Sequence, residues 1–195
     1  MEVNGYKIKP YANLVGADFH EADLAGAFLA YANLTGSSLL GAILNGAVLK
    51  NAILVEADLR LAWLGDALLV EADLTRANLS KAFLAGSHLH GANLTQANLT
   101  EANLDKTVLY GAILKGANLT DSSLKNADLY CADLNNAVLV RADLTGVVFG
   151  DHLAGAKFSG ANLQGANLTK VMLGKSNLTG ADLTGATMPD GTIHP

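Results

Sequence analysis

The chain has 195 residues and a formal charge of -5; half of its residues are hydrophobic, yet only 6% are aromatic. That apolar content excludes a disordered chain, which needs low hydrophobicity and high net charge, and the mild acidity argues against a nucleic-acid-binding surface. No stretch approaches the roughly 18 to 20 consecutive apolar residues of a membrane span, and the single cysteine, Cys131, excludes an intrachain disulfide framework or a cysteine-rich metal site.

Residues 1–10 hold Glu2, Asn4, Lys7 and Lys9 with no apolar run between them, which does not read as a signal peptide. The expected compartment is the cytoplasm. Val3, Asn4-Gly5, Tyr6 and Ile8 read as a small turn whose apolar residues can cover the start of the next element, an N-terminal cap over 1–10.

From Leu14 a five-residue unit, A-(D/N)-L-x-x, runs without interruption to Phe149, which makes 28 repeats over 11–149. The register is lost at 150–152, resumes at Leu153 and adds eight repeats over 153–189. The central residue is Leu in 32 of the 36 repeats, and Ala stands two places earlier in 28, a regularity that requires one repeated backbone unit.

Five is the period of neither common element. On an α-helix steps of five rotate by about 140° and scatter Leu around the circumference. On a straight strand an odd step sends alternate Leu to opposite faces. Within one repeat, however, Ala and Leu are two apart and point the same way in a short extended segment. A corner at each repeat then turns every Ala and Leu inward. A chain that also climbs by about 4.8 Å per coil stacks on itself as a parallel ladder. Fifteen of the twenty glycines fall two residues after the central residue, where a corner calls for positive φ. The coil length is not fixed by this pattern. Outward apolar residues of the first 28 repeats pair equally often, four times each, at separations of 15, 20 and 25.

At 150–152 one residue is missing and Asp151 takes an inward Ala place. The expectation is a tolerated deletion that bends the rod locally rather than a recognition element. After the last repeat, Met188-Pro189-Asp190-Gly191-Thr192-Ile193 reads as a turn, with a short tail over 190–195.

These repeats resemble the pentapeptide-repeat family, in a Leu-centred form, over about Tyr11 to Pro189. The resemblance implies an all-β fold: a right-handed, four-sided parallel β-helix with four repeats and twenty residues per coil. On those terms 36 repeats make about nine coils and a rod about 43 Å long. The closing run from Ala186 to Pro195 is similar to tails of family members from photosynthetic bacteria.

Catalysis needs convergent groups in a concave, partly desolvated pocket. An interior of Leu and Ala offers none, and no nucleophile–base pair can be assembled, so no enzyme, cofactor or small-molecule substrate is expected. Eight Asp precede a central residue, Asp18, Asp23 and Asp58 among them, and ten Asn occupy equivalent places. They read as a solvated polar face. No two of these Asp lie twenty apart, so stacked coils avoid like-charge pairs. His88 and His90 flank Leu89 at a spacing that suits a metal, but Leu68, Val70, Val108 and Tyr110 in the adjacent coils supply no third ligand. No metal site is expected there. Cys131 has no His nearby in sequence and reads as incidental. Lys and Arg are dispersed, with no basic stripe.

One outward feature rises above this background. Of the twelve residues that precede the central position between Phe28 and Phe83, seven are apolar: Phe28, Ile43, Val48, Ile53, Trp63, Leu68 and Phe83. Elsewhere only five of twenty-four are. With twenty-residue coils Phe28, Val48 and Leu68 stack on one side and Ile43, Trp63 and Phe83 on the side before it; Val70, Tyr110 and Tyr130 extend the first. Contiguous apolar patches usually mark an interaction surface. The expected role is a non-enzymatic structural or protein-interaction module whose partner is another protein or a second copy. The alternative is a DNA mimic that binds DNA gyrase or topoisomerase, as in the quinolone-resistance branch of the family. Against it, a duplex of about 43 Å carries about 25 charges, whereas this chain has a net of -5. That branch also favours Phe at the centre, where Leu stands here.

Overall fold

A computed structural model describes residues 1–148, 161–169, 171 and 178–195. Parallel bridges join residues twenty apart throughout the first 148, so the chain returns to the same lateral position after four repeats. Four ladders result. They start at Asn13, Asp18, Asp23 and Phe28, and each contains the residue just before the central Leu of every fourth repeat.

Hydrophobic burial at two positions per repeat drives this winding. Nearly every described central Leu and its preceding Ala is fully buried, and together they form one continuous core. The backbone closes the same accounting. Within a repeat such as Asn33 to Ser37, the Asn33 N–H goes to the Ala12 carbonyl one coil below, and Leu34 and Gly36 donate to Ile53 and Val55 one coil above. The Ser37 N–H closes the corner on the Leu34 carbonyl at 3.0 Å. Four of five N–H groups are thus satisfied by main chain. The fifth, at Thr35, is taken by the side chain of Asn33 at 3.1 Å.

That fifth bond gives the Asp and Asn residues a structural role beyond a solvated face. Asp18 Oδ1 accepts from the His20 N–H at 3.0 Å, Asp58 from Arg60 at 3.2 Å, and Asn98 from Thr100 at 3.1 Å. Where Thr follows the Leu, its hydroxyl donates to the same oxygen, as Thr100 does to Asn98 at 2.7 Å. A short Asx side chain that bonds two residues on is turn chemistry. No two Asp are neighbours in any described ladder, as the avoidance of like-charge stacking requires.

The corners differ from expectation in one respect. Gly occupies many left-handed positions, but so do Tyr11, Glu21, Leu61, Arg76 and Lys106, with φ of 58, 53, 59, 57 and 58°. An L-residue there costs roughly 1–2 kcal/mol. The ladder offsets it, because the corner N–H bonds the next coil, as Leu61 does to the Ser80 carbonyl at 3.2 Å.

The break at 150–152 lies outside the described residues. Across it, Val138 pairs with Asn162 and Asp143 with Asn167, a step of 24 in place of 20. The chain between these paired residues is thus four residues longer than the step of twenty found before residue 148.

Both ends of the stack carry antiparallel segments. Strands β1 (Glu2–Val3) and β2 (Tyr6–Lys7) form a hairpin around Asn4-Gly5. Tyr6 meets Phe19 edge-on at 5.2 Å, and Ile8 is buried. At the other end Gly191 donates to the Met188 carbonyl, and Thr187 pairs antiparallel with Ile193. Among the described residues no helix is long and apolar enough to cross a membrane.

Candidate interaction surface

With every Ala and Leu turned inward, the outward residues are free to vary, and they vary by ladder. The Asp18 ladder runs Asp18, Ser38, Asp58, Asn78, Asn98, Asn118, Val138, Asn162, Asp182. The Phe28 ladder runs Phe28, Val48, Leu68, His88, Val108, Asp128, Val148. One residue of nine is apolar in the first, five of seven in the second.

The structure brings most of the sequence-derived candidates together. Phe28, Val48 and Leu68 are consecutive in one ladder, and Ile43, Trp63 and Phe83 are consecutive in the ladder beside it. Phe28 is 65% exposed and Trp63 48%, whereas Val48 and Val70 are half-buried. Trp63 and Phe83 stack at 4.4 Å with 16° between the planes, one strand spacing apart. Ile53 stands apart, between Asn33 and Asp73 in the Asn13 ladder. The sequence run stopped at Phe83, yet Val108 and Val148 continue the Phe28 column once the twenty-residue step is known.

Beside this column, Val70, His90, Tyr110 and Tyr130 recur at the same twenty-residue step. His90 and Tyr110 lie 4.7 Å apart, and Tyr110 stacks on Tyr130 at 5.4 Å and 4°. Desolvation in this stack pushes the Tyr130 phenol above its ordinary value. His88 and His90 are both exposed, on either side of buried Leu89. Among the described residues no three His, Cys, Asp or Glu converge within one chain, and no cavity opens. Cys131 is half-buried at a left-handed corner.

Charges elsewhere pair along the stacking direction. Arg76 meets Glu56 at 2.7 Å and Arg141 meets Asp121 at 2.5 Å, each one coil apart. Arg60 forks onto Asp58 with bonds of 2.8 and 2.6 Å, and this hydrogen-bonded guanidinium holds the Asp58 carboxyl below its usual range. The Arg141 guanidinium does the same to Asp121.

Comparison with known proteins places these features in context. The family model for pentapeptide repeats matches eight copies, over residues 12–51, 52–91, 87–126, 112–151 and 152–188. Among solved structures the chain is similar to HetL, a pentapeptide repeat protein involved in heterocyst differentiation regulation in the cyanobacterium Nostoc sp. strain PCC 7120. The identity is 37% over 95% of this chain and 88% of that one, with a TM-score of 0.45. It is similar in fold to QnrB1, a plasmid-mediated fluoroquinolone resistance protein, at 20% identity over 89% and 88% of the two chains and a TM-score of 0.55. A pentapeptide repeat protein of the Arabidopsis thaliana thylakoid lumen shares 28% identity over 53% of this chain and 66% of that one, with a TM-score of 0.41. No curated protein matches.

Proposed function

The chain belongs to the pentapeptide-repeat family, whose solved members are right-handed β-helical solenoids, and on that premise we propose that it is a non-enzymatic interaction module that associates through its apolar face. Its shape on this reading is a four-sided rod of about nine coils. Nine residues in the Asp18 ladder and four ladders per turn support that count.

One observation carries the functional reading. The residues on the Phe28 and Asp23 ladders gather Phe28, Ile43, Val48, Trp63, Leu68 and Phe83 into one contiguous exposed patch, while the Asp18 ladder of the same backbone stays polar. Removing such side chains from water is worth about 1.5–3 kcal/mol each, and a partner or a second copy would supply that cover. Residues 1–10 and 190–195 would cap the rod. The single cysteine fits a reducing compartment such as the cytoplasm, although the plant relative of the thylakoid lumen belongs to another compartment.

Replacing Trp63 and Leu68 together with Asp tests the reading. The double variant should retain its β-rich circular dichroism and lose association by light scattering, and an unchanged mass would count against the proposal. The gyrase reading predicts a densely acidic surface, which a net charge of -5 does not provide. In a supercoiling assay with and without a fluoroquinolone the protein should leave gyrase unaffected.

A further inference from the structure

The Phe28 ladder and its flanking corner read as their own complement when one copy is laid on another in the opposite direction. A two-fold axis in the plane of the face, crossing the rod at His88, sets the ladder residues of one copy opposite those of the other in reverse order. Phe28 then faces Val148, Val48 faces Asp128, Leu68 faces Val108, and His88 faces His88. An isologous contact demands this property: if one residue meets another, the reverse contact must also form.

The charges obey the same operation. Lys50 stands two residues after Val48 on the same rung and Asp128 belongs to the rung that the axis sets opposite it, so a lysine of each copy comes within side-chain reach of an aspartate of the other. On the corner between the Asp23 and Phe28 ladders, Asp66 and Lys106 occupy left-handed positions two coils apart. His88 lies midway between those coils, so the axis sets Asp66 of one copy against Lys106 of the other. Among the described residues none of Lys50, Asp66, Lys106 and Asp128 has an ion pair within its own chain. A parallel arrangement, with the axis along the rod, would face each rung with its own copy and leave these four charges without opposite partners.

The centre of the seam is built for close approach. The His88 rung is flanked by Gly86 and Gly91, at φ 72 and 64°, so these two left-handed corner positions carry no side chain. His88 stands on the bridge and His90 opens the turn that follows it, both exposed on either side of buried Leu89. One chain offers two nitrogen ligands, and the axis doubles them to four.

We infer that the partner of the apolar face is a second copy of this chain, docked antiparallel about a two-fold axis at His88, and that the two His88–His90 pairs form a four-imidazole site for a divalent transition ion such as zinc. This rests on the self-association proposed above. Four imidazoles match the coordination number of zinc, and the third ligand that a single chain lacks comes from the other copy.

Sedimentation equilibrium of the full chain, in EDTA and with added zinc chloride, tests both parts. The protein should dimerise in EDTA, and K50E or D128K alone should weaken the dimer about tenfold or more. The K50E/D128K double variant should restore it to near the original affinity. A monomer in both buffers would overturn the self-association itself. A dimer indifferent to the single charge reversals, or not restored by the double one, would overturn the antiparallel register and leave self-association standing. Zinc should tighten the dimer about tenfold or more, and H88A/H90A should abolish that response, read as equal dimer affinities with zinc and with EDTA whatever that affinity is. A zinc response that survives H88A/H90A, or no response in the original chain, would overturn the metal centre.

Discussion

Up to residue 148 the Asp18 and Phe28 ladders share one backbone, one step of twenty and one core, and differ almost solely in what they show to solvent. Along the Asp18 ladder, Asp18, Asp58, Asn78, Asn98 and Asn118 each take up the N–H two residues on. Along the Phe28 ladder, Phe28, Val48, Leu68 and Val108 have no oxygen with which to do so. Such a hydrogen bond contributes about 0.5–1.5 kcal/mol, so the apolar ladder forgoes stabilisation that its neighbour retains. The difference teaches that the fold sets the inward residues and leaves the outward ones to be set by what the face must meet.

The largest effect should be blind to this difference. Leu79 stands behind the Asp18 ladder and Leu89 behind the Phe28 ladder, and both are fully buried. Leu79→Ala and Leu89→Ala should each cost about 2–5 kcal/mol in urea denaturation. If the two costs differ by more than about 1 kcal/mol, the ladders do not share an equivalent core.

Two serines allow a finer version. Ser37 and Ser87 sit at inward places behind the same two ladders, and among the described residues neither hydroxyl has a hydrogen-bond partner. By contrast, Ser122 at an equivalent place donates to the Leu119 carbonyl at 2.7 Å. Ser37→Ala and Ser87→Ala should each raise stability by about 1 kcal/mol or more, seen as a higher thermal midpoint; a loss at either position would mean that the hydroxyl is bonded after all.

The outward position itself is tested by exchange. Asn98→Ala removes the acceptor for Thr100 and should cost about 1 kcal/mol. Val108→Asn supplies an acceptor for the Tyr110 N–H and should recover up to about the same amount in the isolated chain. Equal responses to the two changes would remove the distinction between the faces.

The smallest effect is acid sensitivity. Asp58 is held below its usual range chiefly by its hydrogen bond from Arg60, and Asp182 chiefly by that from the Thr184 N–H. A carboxyl with a lower pKa folded than unfolded stabilises the fold fully above its unfolded value, about 3.9. That contribution disappears as pH falls through the folded value. Thermal midpoints should therefore drop below about pH 4, and Asp58→Asn should flatten the decline; an unchanged slope would show that the pair with Arg60 carries no linkage.

Much of the architecture is legible in the residues alone. The inward Ala and Leu, the corner, the turn at Asn4-Gly5 and the apolar run from Phe28 to Phe83 all follow from spacing and burial. The coil length does not, because successive outward side chains are tied to their neighbours one coil away only weakly and can repeat at several intervals. Without it, Val108 and Val148 could not be assigned to the column of Phe28. The role of Asp and Asn was hidden for another reason: a polar residue facing water needs no further explanation, although the recurrent A-N-L-T of residues 92–95, 97–100 and 117–120 pairs an acceptor with the hydroxyl that it binds. Tyr11 and Leu61 at positive φ were equally illegible, since ladder bonding overrides local preference.

The antiparallel segments at the two extremities have a consequence for assembly. A parallel stack is a template that can in principle add layers without limit, as fibrils do. Here the hairpin of residues 2–7 and the reversed segment at Ile193 present the wrong strand polarity to any incoming coil. Such reversed edges disfavour end-on addition of a parallel coil at those two positions.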